Sequence, residues 1–198
     1  MQISNPKVKN ASRRLAIVLG GSLLFSGCSS SEPNETPVIS GVPATAYPMP
    51  PLSGASLANL GWELEDGSRS VFSEYKGKVL LLDFYATWCA PCRVSIPYLI
   101  NLQQRYKDQG LVVIGLNVGG ADDEPKVPAF AKQFGIQYTL AKPDDELANF
   151  LLADDSAIPQ TFVFDRHGKL VERLIGFGPG SGKIIDRAVE HALQTEAP

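Results

Sequence analysis

Two cysteines separated by two residues, in Trp88-Cys89-Ala90-Pro91-Cys92, are the side chains of this chain best suited to chemistry. They follow an apolar run over residues 79–85 and precede a helical pattern, so a strand is expected to deliver Cys89 to the start of a helix. A sulfur there faces unpaired backbone N–H groups and the positive end of the helix dipole, which together stabilise a thiolate. Cys92 comes three positions later, one turn along, within reach of a small disulfide with Cys89. Such a pair performs thiol–disulfide exchange: one sulfur attacks as a thiolate, and a second, more buried and less ionised, resolves the mixed disulfide. Cys89 is the expected attacker and Cys92 the expected resolver. The spacing alone would equally suit half a zinc site or a chance pair. The tryptophan before it, the proline inside it and the strand–helix frame point instead to a redox dithiol.

The elements that must position this pair can be read from the surrounding pattern. Asp66-Gly67 is a turn signal between runs at 59–65 and 69–72, which reads as an N-terminal β-hairpin. Residues 78–86 are apolar almost throughout and predict a central strand buried on both faces. Residues 91–109 predict a helix with Ile96, Leu99, Ile100 and Leu102 on its apolar face, ended by Gly110. A second buried strand follows at 111–118, then a loop at 119–124 and a short helix at 127–134, with Pro128 near its start and Gly135 as its stop. A short strand at 137–141 leads to a helix at 144–152 capped by Asp144 or Asp145. Residues 161–165 and 169–175 form a hairpin turned by Arg166-His167-Gly168, and after a flexible stretch at 176–182 an amphipathic helix at 183–193 turns Ile184, Ile185, Ala188, Val189 and Leu193 inward. The fold class is α/β, a mixed sheet flanked by helices.

Trp-Cys-x-Pro-Cys on a strand–helix junction resembles the thioredoxin superfamily, and residues 55–195 resemble its membrane-tethered branch, the TlpA and ResA type. The resemblance implies a thioredoxin-like fold with a central mixed sheet, an N-terminal β-hairpin and an inserted helix at 127–134. It implies a catalytic set of Cys89, Cys92, Asp83, Trp88 and Pro159, with Ile158, Pro159 and Trp88 meeting the substrate. Asp83 occupies the place of the buried acid on the central strand. Burial raises the pKa of such a carboxyl, and the resemblance implies that it takes a proton from Cys92 through water; a solvated or hydrogen-bonded strand-end acid is the other reading. Ile158-Pro159 matches the cis-proline loop that presents its backbone to a client chain, against the alternative of an edge-strand or turn proline. Trp88 is expected to cover one side of the site, or else to be a core aromatic. Pro97 matches the proline that kinks the first helix, and Gly176 a glycine near the end of the last strand. Gln160 stands where relatives commonly have threonine, a change expected to bear on substrate preference. In Asn117-Val118-Gly119-Gly120, glycine replaces an active-site glutamate of some relatives; whether Asp122, Asp123 or Glu124 substitutes is left open. Arg93, Lys78, His167 and His191 read as surface residues, and no metal site or cofactor is expected.

Residues 1–27 read as a lipoprotein signal peptide: Lys7, Lys9, Arg13 and Arg14 precede an apolar core at 15–25 and a lipobox-like Phe-Ser-Gly before Cys28, the expected lipidation site. An ordinary signal peptide with a stray cysteine, or an uncleaved anchor, are the other readings. Residues 28–54, rich in proline and serine, read as an extended tether. Removing residues 1–27 takes away four of the 18 basic side chains and none of the 21 acidic ones, leaving a net charge of about −7. That balance argues against nucleic acid as a partner and assigns membrane contact to lipid rather than to a basic patch. The expected location is the periplasmic side of a bacterial membrane, the outer membrane being favoured by the serine after Cys28. The implied partners are disulfides of exported proteins, such as apocytochrome c or metal-centre assembly proteins, and a membrane thiol-electron carrier of the DsbD/CcdA type. Outside the cytoplasm a dithiol is oxidised unless electrons are supplied, and Asp83 with Trp-Cys-Ala-Pro-Cys favours a reductant. Two further readings are a redoxin-type thiol peroxidase, which needs Thr-x-x-Cys whereas Thr87 stands two before Cys89, and a non-enzymatic copper-binding assembly factor, whose distant histidine lacks a counterpart here.

Overall fold

The computed structural model describes residues 57–198. The signal peptide, Cys28 and the tether read from the sequence lie outside the described residues. The described part is built on one seven-stranded sheet in the order β2-β1-β5-β4-β3-β6-β7. Its strands are β1 (Gly61–Leu64), β2 (Arg69–Val71), β3 (Val79–Tyr85), β4 (Leu111–Asn117), β5 (Thr139–Pro143), β6 (Gln160–Phe164) and β7 (Leu170–Ile175). β3 pairs parallel with β4 and β4 with β5, while β3 with β6, β6 with β7, β1 with β5 and β1 with β2 are antiparallel. The sheet is therefore mixed, with the N-terminal hairpin added at its β5 edge.

β3 lies at the centre because it can be buried on both faces. All seven of its residues are buried, and each large apolar side chain so placed contributes about 1.5–3 kcal/mol. Its alternation divides the core. Leu80, Leu82 and Phe84 face one layer with Phe162, Phe164, Trp62 and Leu147 and Leu151 of α3 (Asp145–Leu151). Val79 and Leu81 face the other, against Leu99 and Leu102 of α1 (Ala90–Tyr106) and Ile185, Ala188, Val189 and Ala192 of α4 (Ser181–Leu193). Beyond them Tyr85 meets Cys89, Cys92 and Ile96 of the first turns of α1 and Phe130 of α2 (Val127–Phe134). This is the thioredoxin-like arrangement, with helices on both faces of a mixed sheet.

Where boundaries differ from the sequence pattern, local chemistry explains why. α1 stops at Tyr106 and tightens into a 3-10 turn at Lys107–Gln109, whose end is the left-handed Gly110. β5 runs two residues later than expected because β1 extends its pairing to Trp62 opposite Pro143. Asp144 is the N-cap residue of α3, but its side chain does not cap. The antiparallel hairpin brings Gly61 N–H and the Arg69 guanidinium across to it, and the carboxylate accepts from both instead. Of the expected inward side chains of α4, Ile184 and Leu193 are only partly buried, whereas Ala192, which was not among them, is fully buried.

Candidate active site

The end of β3 does not run straight into α1. The chain makes a tight turn in which Cys89 N–H donates to Ala86 O at 3.2 Å. Cys89 then serves as the N-cap residue of α1, with extended backbone angles, and its sulfur accepts the Cys92 N–H at 3.2 Å. Pro91 sits in the first turn, where a missing N–H costs nothing. Cys89 and Cys92 are joined in a disulfide with Cα atoms 5.3 Å apart. Cys89 is 4% exposed and Cys92 fully buried. The order is the expected one, but the difference is a sliver of surface.

Trp88 is 62% exposed, which rules out the core position. It stands in solvent next to Cys89 in the chain, and Val94 in the first turns of α1 is exposed as well. The Ile158–Pro159 peptide bond is cis. Ile158 O lies 3.7 Å from Cys89 Sγ, and the Pro159 carbonyl accepts Gly176 N–H at 2.7 Å. The structure thus brings Cys89, Cys92, Ile158 and Pro159 together.

Asp83 lies two residues before the end of β3, on the face that α1 covers, and is 1% exposed. Its cross-strand neighbour Thr161 donates a hydroxyl hydrogen bond to Oδ1 at 3.0 Å. Oδ2 has no hydrogen-bond partner among the described residues. Burial pushes the carboxyl up to about 7, against the smaller opposite pull of Thr161. Of the alternative reading, a solvated or hydrogen-bonded strand-end acid, the solvated form does not hold, and the hydrogen bond from Thr161 is present.

A second carboxylate belongs to the same neighbourhood. Asp123, from the loop after β4, is 1% exposed. Its Oδ2 accepts Thr87 N–H and Asn117 Nδ2–H, each at 2.8 Å, and its Oδ1 accepts the Thr87 hydroxyl. Burial works to raise its pKa, but the hydrogen bonds from Asn117 and Thr87 outweigh that and hold it below the usual range. Arg93 is exposed, as expected of a surface charge, and also donates twice to Thr87 O, at 3.0 Å from Nε and 2.7 Å from Nη2. With its hydroxyl given to Asp123, Thr87 is not set up as the threonine of a peroxide pocket.

Gln160 is fully buried, so it cannot read a substrate directly. Its Nε2 donates to Ala157 O at 2.9 Å, and its Oε1 accepts from Arg173 Nε and Nη2 at 3.0 and 2.9 Å. Arg173 also donates to Asp154 at 2.9 Å and stacks its guanidinium 5.4 Å from the Phe162 ring centre. Its signal in the sequence was weak, a cation in a strand with nothing local to mark it as buried. His167 and His191 are exposed, and no cluster of His, Cys, Asp or Glu that could hold a metal occurs among the described residues.

The family model described as Redoxin matches residues 34–188. The chain belongs to the Redoxin family. Thiol-disulfide oxidoreductase ResA of Bacillus subtilis (strain 168) is 32% identical over 123 residues, covering 62% of this chain and 67% of that protein. The protein of the same name from Geobacillus kaustophilus (strain HTA426) is 34% identical over 113 residues, 56% of this chain and 62% of its own, so under two thirds of that relative is spanned. Among solved structures, a putative thiol:disulfide interchange protein DsbE from Chlorobium tepidum superposes with a TM-score of 0.60 at 28% identity, over 69% of this chain and 94% of that one. A second, a thioredoxin family thiol:disulfide interchange protein from Chlorobium tepidum TLS, gives 0.60 at 29% identity, over 73% and 97%. This Redoxin-family chain therefore carries its redox-active Cys89–Cys92 disulfide in a thioredoxin fold homologous to thiol–disulfide oxidoreductases, and the activity supported is oxidoreductase.

Proposed function

We propose that the chain is an extracytoplasmic, lipid-anchored thiol–disulfide oxidoreductase that reduces disulfides in exported proteins. The observation that carries the reading is a disulfide-bonded sulfur at a helix N-terminus, its capping N–H 3.2 Å away on one side and the Ile158 carbonyl 3.7 Å away on the other. In the reduced protein the Cys89 thiolate attacks a client disulfide, forming a mixed disulfide and releasing one client thiolate. Cys92 then loses its proton and attacks the Cys89 sulfur, which restores the disulfide and releases the second client thiolate. Two electrons have passed to the client, whose sulfurs take up protons. Asp83, buried and held near pKa 7, is the group assigned to take the Cys92 proton. Ile158 offers backbone groups to the client chain and Trp88 an exposed apolar face beside the sulfur. Electrons return from a membrane thiol carrier of the DsbD/CcdA type, and the lipid on Cys28 keeps the domain at the membrane.

The test is a trap. In cells, Cys92→Ala should accumulate mixed disulfides between Cys89 and exported proteins, and the Cys89→Ala, Cys92→Ala double variant should not. Failure of the purified protein to cycle between dithiol and disulfide with dithiothreitol and a mild oxidant would sink the reading. Cys28→Ser should release the protein from the membrane fraction, and an unchanged membrane fraction would remove the lipid anchor.

A further inference from the structure

Thr87 is held from both sides more firmly than a turn residue needs. The 86–89 turn delivers Cys89 to α1, and Thr87 is its second residue. Asp123 takes its N–H and its hydroxyl, while Arg93 takes its carbonyl. The carboxylate that does this comes from 36 positions away and is itself fixed by Asn117, the last residue of β4. The loop is shaped to bring it there. Gly120 turns the chain at φ +86°, and its carbonyl accepts Asp123 N–H at 2.9 Å. Gly119 leaves the space: a Cβ there would fall 2.3 Å from Asp123 Oδ2 and 2.5 Å from its Cγ.

We propose that Asp123 is a positioning residue of the exchange reaction, fixing the 86–89 turn and placing a permanent negative charge beside the backbone that carries Cys89, so that the pair is held toward the reducing side. This rests on the thiol–disulfide exchange proposed above. The oxidised pair is neutral, whereas the reduced pair becomes anionic as Cys89 ionises. A nearby fixed anion therefore disfavours the thiolate and, with it, the reduced form. The other charged or titratable groups around Asp123 and the turn are Lys126 on the loop, Arg93 on α1, and Tyr85 and Asp83 on β3. The Lys126 and Arg93 cations act in the opposite sense, so the sign of the effect is a real test.

The experiment compares full-chain wild type with Asp123→Asn and, as an independent displacement of the same carboxylate, Gly119→Ala. The readouts are the thiolate absorbance of Cys89 against pH and the equilibrium constant with dithiothreitol at a pH where the thiolate is populated. Both variants should fold, by circular dichroism. In both, the thiolate should appear about one pH unit lower, and the equilibrium should move about tenfold toward the dithiol, ~30 mV. A folded Asp123→Asn that titrates and equilibrates like the wild type overturns the inference. So does failure of both variants to fold, which assigns Asp123 to the fold alone. If the wild type itself does not cycle with dithiothreitol, the failure belongs to the proposed function instead.

Discussion

Asp83 and Asp123 each expose only 1% of their surface, but Asp83 lies deep under the helices and Asp123 in a loop closer to solvent, and they have opposite fates. Asp83 accepts one hydrogen bond, from Thr161, and leaves Oδ2 without a partner among the described residues. Its carboxyl is raised to about 7. Asp123 accepts three, two from Thr87 and one from Asn117, and is held ionised below the usual range. Depth and donors together therefore decide whether an acid is charged: Asp83 lies deep in the core with one donor, and Asp123 lies nearer the surface with three. Near the end of β3 stands a carboxyl raised toward neutrality, and the neighbouring loop carries a carboxylate held below the usual range.

The largest consequence of this contrast lies in stability against pH. Below the ordinary value of 3.8 Asp83 is protonated in folded and unfolded chains alike and costs nothing. As pH rises from about 4 to about 7 the unfolded chain releases the proton first, so the folded state loses about 4 kcal/mol across that window. Asp83→Asn is expected to unfold in urea with about 4 kcal/mol more stability than the wild type at pH 8 and with nearly equal stability at pH 4. Parallel pH profiles for the two proteins would break the contrast. Asp123→Asn should do the reverse. Its lowered pKa stabilises the fold above the ordinary value, and that contribution is lost as pH falls through the folded-state pKa. The same urea series should show a loss of about 2 kcal/mol at pH 7, narrowing in acid. A variant as stable as the wild type at pH 7 would contradict it. The smallest effect sharpens the donor argument. Thr161→Val removes the one donor to Asp83 and should raise its carboxyl titration by about one further unit, about 1.4 kcal/mol, with Asp123 unmoved. Carbon-13 NMR of the side-chain carboxyls reads both, and an unshifted Asp83 would deny Thr161 its part.

What could be read in the sequence divides along the same line. The sheet, its helices and the Cys89–Cys92 disulfide were legible because each is written locally: an apolar run, a helical period, a spacing of three. Asp83 could be placed on a buried strand for the same reason. Asp123 could not be told from Asp122 and Glu124 beside it, since what distinguishes it is Thr87, 36 positions earlier. Gly119 was visible only as a missing side chain; the structure shows it as room for the carboxylate that follows. Asp144 misled as a helix cap, while Arg93, exposed as read, gained a partner that its type did not announce. The Asp144 carboxylate was redirected by a hairpin that arrives from elsewhere, and the Arg93 guanidinium reaches back to the turn before its own helix. Trp88 admitted two readings because an aromatic after an apolar strand fits either, and only the turn at 86–89 swings it outward.

The brace around Gln160 bears on the client docking proposed above for Ile158. With its amide spent on the 155–157 backbone and its oxygen on Arg173, the segment leading to Ile158 is secured from behind before any client arrives. Nothing there has to be immobilised at the moment of encounter, a saving of about 0.5–1.5 kcal/mol for every side chain that would otherwise have to settle. For the client docking proposed at Ile158, a preorganised segment of this kind would tolerate weak, short-lived guests. Turnover can then be governed by sulfur chemistry, and release need not wait for a loop to reopen.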